Sequence, residues 1–120
     1  MRRIKQNSVS TPYSSAVISG DTIYVSGQLG IEKDGTTGDL ARQTEIAIAS
    51  LDEILKAAGS KLSKVVKTTC FLAEGADPAV FNEVYMRSFP EKPARSLVWV
   101  SSLPKGSLVE IEAIAEKTKE

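Results

Sequence analysis

The chain has 120 residues, 42% of them hydrophobic and 25% charged, which is enough apolar mass for one core and a single domain spanning residues 1–120. Fifteen Lys and Arg balance fifteen Asp and Glu, so no net field draws in nucleic acid or an anionic membrane, and no apolar run reaches membrane-spanning length. Histidine is absent and cysteine occurs once, at Cys70, which excludes an internal disulfide, every Ser-His or Cys-His nucleophile pair and most zinc sites.

A lone cysteine favours a reducing compartment, and the expected location is the cytoplasm. The basic start, Met1-Arg2-Arg3-Ile4-Lys5, lacks the apolar core of a signal peptide. Any chemistry must therefore run on Arg, Glu, Asp, Tyr, Ser, Lys, backbone amides and water.

Residues 3–6 suit a short edge strand, and residues 10–15 a polar loop carrying Tyr13. Ala16–Ser19 and Thr22–Ser26 flank Gly20-Asp21, a tight-hairpin signal. Gly27-Gln28-Leu29-Gly30 is expected to end the second strand, and residues 32–38 to form a solvated loop. A helix is predicted from Asp39 to just before Gly59, with Leu40, Ala47, Leu51, Ile54, Leu55 and Ala58 on one apolar stripe. Lys64–Leu72, rich in Val and Thr, reads as a central strand. Asp77-Pro78 opens a second helix, whose inward stripe is Phe81, Val84, Tyr85 and Phe89.

Pro93-Ala94-Arg95-Ser96 then leads into the apolar run Leu97–Val100. Arg95 is permanently charged and carries a planar fork of donors that fits a carboxylate. After the break Leu103-Pro104-Lys105-Gly106, residues 108–115 alternate with period two: Val109, Ile111, Ala113 and Ala115 on one face, Leu108, Glu110, Glu112 and Ile114 on the other. Paired as an antiparallel hairpin centred between Ser102 and Leu103, these runs set Arg95 opposite Glu110. That pair reads either as a cross-strand ion pair or as a carboxylate clamp beside a proton-handling acid. Tyr13 reads equally as a packed loop aromatic, Ser26 as the end of a hairpin, and Cys70 as buried core. Two helices with one apolar stripe each cover one face of an α+β sheet, so the other face is expected to bury against further copies of the chain.

The order of motifs resembles the RidA/YjgF family of reactive-intermediate (enamine/imine) deaminases over nearly the whole chain. The resemblance rests on Pro12-Tyr13-Ser14, Val25-Ser26-Gly27-Gln28, Val66-Lys67-Thr68-Thr69, Asn82-Glu83-Val84-Tyr85, Pro93-Ala94-Arg95-Ser96, and Leu103-Pro104-Lys105-Gly106 followed by residues 110–115. It implies a chorismate-mutase-like α+β fold, a homotrimer with clefts between subunits, and no metal or cofactor. The implied activity is that of a 2-iminobutanoate/2-iminopropanoate deaminase. Such an enzyme hydrolyses imines and enamines released by pyridoxal-phosphate enzymes, among them 2-aminoacrylate, to 2-keto acids and ammonia.

Residue by residue, the resemblance makes Arg95 the carboxylate-binding arginine and Glu110 the acid that handles water. Tyr13, Ser26, Gly27, Asn82 and the backbone of Leu97 complete the substrate pocket it implies. Thr11 (often Gly in the family), Ser15 (often Gln), Leu97 (often Cys) and Trp99 depart from the family pattern and bear on substrate preference. A binding protein or sensor for 2-keto acids would use the same residues. An endoribonuclease or translation-inhibitor role, described for some members, fits the neutral charge poorly.

Overall fold

The computed structural model describes residues 1–5 and 11–118. Gln6 of the expected first strand and Ser10 of the expected loop lie outside the described residues. Strands β1 (Arg2–Ile4), β2 (Ala16–Ser19) and β3 (Thr22–Leu29) precede helix α1 (Leu40–Ala57). Strand β4 (Val65–Ala73), helix α2 (Pro78–Ser88) and strands β5 (Ala94–Val100) and β6 (Val109–Glu116) follow. Six strands form one mixed sheet in the order β1-β2-β3-β6-β4-β5.

Both helices are punctuated by local chemistry. Asp39 caps α1, its Oδ1 accepting the Arg42 amide at 2.9 Å. At the other end Gly59, at φ +86°, lets its own N–H reach the Lys56 carbonyl and that of Ser60 the Leu55 carbonyl, a Schellman closure. Asp77 caps α2 through the Ala79 amide at 2.9 Å, with Pro78 in the first turn. The helices pack on one sheet face, where Leu51, Ile54, Leu55 and Phe81 meet Ile23, Leu72, Val109 and Ile111.

One expectation fails. β5 and β6 do not form a hairpin, because β4 lies between them. β5 runs parallel to β4, since the connection between them contains α2 and returns the chain to the end where β4 began. β6 enters the slot between β3 and β4 and pairs antiparallel with both. Arg95 is in register with Thr68, and Glu110 with Phe71 of β4 and Leu29 of β3. Two strand spacings and three residues along the strand set the Cα atoms of Arg95 and Glu110 about 14 Å apart.

The second strand also runs further than expected. β3 continues through Gly27 and Gln28 to Leu29, with a bulge between Val25 and Gln28. Ser26 and Gly27 together oppose Glu112, because Val25 pairs with Ala113 and Gln28 with Ile111.

The face away from the helices carries Val17, Tyr24, Phe71, Val98 and Ile114 among Lys67, Thr69, Glu110 and Glu112. Tyr24 is 49% and Val98 43% exposed there, so no described residue covers this part of the face.

Candidate active site

The predicted site residues fall into two clusters on opposite faces of the sheet. Arg95 opens the edge strand β5 and shares the helix-side face with its register partner Thr68. Its guanidinium lies over the Tyr85 ring, 4.8 Å from the centroid, and 5.8 Å from that of Phe81. Nη1 donates to Asn82 Oδ1 at 2.8 Å. Tyr85 is itself held: its hydroxyl shares a 2.7 Å hydrogen bond with Thr68 Oγ1, and its ring packs between those of Phe81 and Phe89. Arg95 forms no ion pair among the described residues.

Two residues on, Leu97 is in register with buried Cys70 and packs against the core. Burial pushes the Cys70 thiol up to about 11, against weaker opposing effects from the Thr68 hydroxyl and the positive charges of Arg95 and Lys67. Cys70 is therefore a neutral core residue at physiological pH. Burial likewise raises the Tyr85 phenol.

On the other face, Glu110 of β6 lies against Gly27 of β3, and a β-carbon at position 27 would fall on the Glu110 carboxylate. The bulge makes this approach possible and the missing side chain leaves room for it. Burial raises the Glu110 carboxyl above its ordinary value, and the negative charge of Glu112 raises it further.

Ser26, beside Gly27, donates from Oγ to the Ser14 carbonyl at 2.6 Å, while its N–H bonds the Ser15 carbonyl. These bonds draw the segment around Tyr13 toward β3. A cleft of about 590 Å³ opens beside this segment and reaches α1, lined by Tyr13, Ser15, Gly27, Gln28, Ser50 and Lys105 among others. That volume lies within the ordinary range of ligand pockets. Tyr13 is 57% exposed at its rim.

Thus the structure brings Arg95, Asn82 and Leu97 to one face and edge and sets Glu110 against Gly27 on the other, with Ser26 next to Gly27 and Tyr13 lining a cleft beside it. Arg95 and Glu110 do not meet within one chain. Among the described residues, no three His, Cys, Asp or Glu side chains are grouped to hold a metal ion.

One supporting group was missed in the sequence. Gln43 of α1 is almost fully buried, its Oε1 accepting the Leu108 amide at 2.8 Å and its Nε2 donating to the Gly38 carbonyl at 2.8 Å. Ser107 Oγ accepts from the Gly30 amide at 3.0 Å and donates to the Val109 carbonyl at 2.8 Å. Together they pin the end of β3 and the start of β6 to α1, which fixes Gly27 and Glu110 relative to each other. The signal was available: Gln43 and Thr44 fall on the stripe between Leu40 and Ala47.

These features define a small α+β protein whose open sheet carries helices on one face and a polar cluster on each. Comparison with known proteins narrows that class. Residues 4–117 match the family described as endoribonuclease L-PSP, and the chain belongs to this family, the RidA/YjgF family.

Among its relatives, the 2-iminobutanoate/2-iminopropanoate deaminase of Homo sapiens is 44% identical over 108 residues, covering 87% of this chain and 79% of that one. The enzyme of the same name from Rattus norvegicus is 47% identical over 107 residues, covering 86% and 78%. The crystal structure of the E. coli YjgF gene product superposes with a TM-score of 0.89 at 35% identity, covering 98% of this chain and 100% of that one. E. coli TdcF with bound serine gives 0.87 at 31% identity, with the same coverage.

Proposed function

We propose that this chain is a 2-imino acid deaminase. It hydrolyses 2-iminopropanoate, 2-iminobutanoate and the enamines that tautomerise to them, such as 2-aminoacrylate, to the 2-keto acid and ammonia. The observation that carries this reading is the Arg95 guanidinium, held in place yet without a carboxylate partner among the described residues. A fixed, unpaired guanidinium is a receptor for a carboxylate. The deaminase names of relatives 44–47% identical and the serine held by the related E. coli protein support a small amino-acid-like substrate.

Because Arg95 and Glu110 occupy opposite faces, the working site joins two copies of the chain. Arg95, Asn82 and the Leu97 backbone come from one subunit; Glu110, Gly27, Ser26 and Tyr13 come from the next. A homotrimer closes such a head-to-tail arrangement and covers the apolar open face.

In the assembled cleft Arg95 clamps the substrate carboxylate and places C2 within reach of a water. Glu110 takes a proton from that water as its oxygen bonds C2, and the C=N electron pair moves onto nitrogen, which receives that proton from Glu110. Glu110 then takes the C2 hydroxyl proton and hands it to the amine of the carbinolamine. The C–N bond breaks, ammonia departs, and the C2 hydroxyl becomes the keto group. Burial makes the ionised Glu110 a stronger base toward that water.

The buried single thiol fits a reducing compartment, and we place the protein in the cytoplasm. RNA has little electrostatic purchase on a chain whose formal net charge is zero.

The test is keto-acid release in the presence of a pyridoxal-phosphate dehydratase that generates 2-aminoacrylate. Wild type should accelerate release, and Arg95→Ala should abolish the acceleration while assembling normally. No acceleration by assembled wild type on any 2-imino acid, with 2-keto acids still bound, would replace the enzyme with a sensor.

A further inference from the structure

We propose that one turn of α2 is a seat for the catalytic guanidinium: Asn82 and Tyr85 are positioning residues that orient Arg95 so that its Nε–Nη2 edge, rather than its Nη1–Nη2 tip, receives the substrate carboxylate. The inference deepens the deaminase reading and rests on it.

An arginine at the mouth of an edge strand has four rotatable side-chain bonds and, left exposed, samples many rotamers. Here two contacts on α2 hold it from different directions. Asn82 Oδ1 takes Nη1 in the plane of the guanidinium, while the Tyr85 ring supports the flat face from below. Asn82 and Tyr85 are three residues apart and so share one face of the helix.

The ring does not rotate freely, because its hydroxyl is bonded to Thr68 and it packs against the rings of Phe81 and Phe89. Thr68 is also the β4 register partner of Arg95. The arrangement therefore closes on itself, strand to helix to strand. Since one Nη1 hydrogen is engaged and Arg95 makes no other hydrogen bond among the described residues, the Nε–Nη2 edge is the parallel pair whose donors are all free. An amide at position 82 also matters. It orients the cation without neutralising it, whereas a carboxylate there would form an ion pair and compete with the substrate.

The experiment compares Asn82→Ala, Asn82→Asp, Tyr85→Leu and Tyr85→Phe, with Val84→Ala as a control that empties space on the same buried helix face without touching Arg95. For each we would measure kcat and KM for 2-iminobutanoate, the Kd of 2-ketobutanoate by calorimetry, and Tm. Asn82→Ala should raise KM and Kd about tenfold with Tm unchanged, and Asn82→Asp should raise them further. Tyr85→Leu should raise both, and Tyr85→Phe, which keeps the ring, should restore them. Val84→Ala should lower Tm and leave KM alone.

Wild-type KM and Kd in Asn82→Ala and Tyr85→Leu would overturn the proposal, as would equal effects from Val84→Ala. If wild type turns over no imine yet binds 2-ketobutanoate in an Asn82-dependent way, the deaminase reading fails and the seat stands. If it binds no 2-keto acid, the seat fails with it.

Discussion

Two glycines at the end of β3 allow the site and the scaffold to be perturbed separately. The three nearest atoms an added β-carbon at Gly27 would meet are all of the Glu110 side chain, a carboxylate oxygen first. At Gly30 it would collide with the Gln43 side-chain base, and with the Gln43 carbonyl oxygen at 2.6 Å and Cα at 2.8 Å. The half-buried Glu110 can swing aside, because its head is the free end of a flexible side chain. The Gln43 backbone sits inside α1 and cannot move without shifting the helix.

Gly27→Ala should therefore fold with less than about 1 kcal/mol lost while displacing the acid, and kcat should fall by roughly two to four orders of magnitude. Gly30→Ala should lose about 1–3 kcal/mol or more through overpacking, and breaking the bonds that Gln43 accepts from Ser107 and Leu108 would add to it. At about 4 °C per kcal/mol for a chain of this size, that is a Tm drop of at least several degrees. Differential scanning calorimetry and the keto-acid assay on both variants check the contrast. A Gly27→Ala enzyme with wild-type kcat would refute the placement of Glu110, and equal destabilisation of the two variants would refute the distinction between a movable and an immovable neighbour.

Three further outcomes follow from particular contacts. Because folding raises the Glu110 carboxyl, the folded state loses stability as pH rises from the ordinary glutamate value, about 4.3, through the higher folded value. Glu110→Gln should thus be more stable than wild type at neutral pH and indistinguishable below about pH 4, as denaturant melts at both pH values would show, while losing activity. The Cys70 thiol, pushed up to about 11, should be only about one part in a thousand ionised at pH 8 and unreactive toward a thiol reagent until the protein unfolds; rapid labelling of native protein would contradict its burial. Val98→Asp places a charge on the open apolar face and should shift sedimentation from the proposed trimer toward monomer with the far-UV circular dichroism retained.

Much of this fold was legible because its signals are local. Asp39 and Gly59, and Asp77 with Pro78, mark helix ends through the backbone groups they satisfy, and the alternation from Val109 to Ala115 fixes which side of β6 faces the core. The partner of β6 was not legible. Pro104 and Gly106 look like a hairpin turn, but a turn constrains only the residues beside it, and pairing is decided by which strands lie within reach. Eight residues, 101–108, suffice to carry the chain past β4.

That one error of pairing moved Glu110 from beside Arg95 to the opposite face. It hid the division of the candidate residues between the two faces of the sheet. Asn82 became interpretable only when α2 was seen to lie over the start of β5. Gln43 stayed hidden because a glutamine on a helix reads as solvent-facing unless its neighbours on the stripe are counted.

The central claim is that the site is shared between two copies of the chain, and co-assembly of two dead variants tests it most directly. Arg95→Ala and Glu110→Gln should each be inactive alone. Co-expressed in equal amounts and assembled at random, they should regain about a quarter of wild-type activity, since half the clefts receive an intact Arg95 and, independently, half an intact Glu110. Mixed assemblies that remain as dead as either parent would contradict a site divided between subunits.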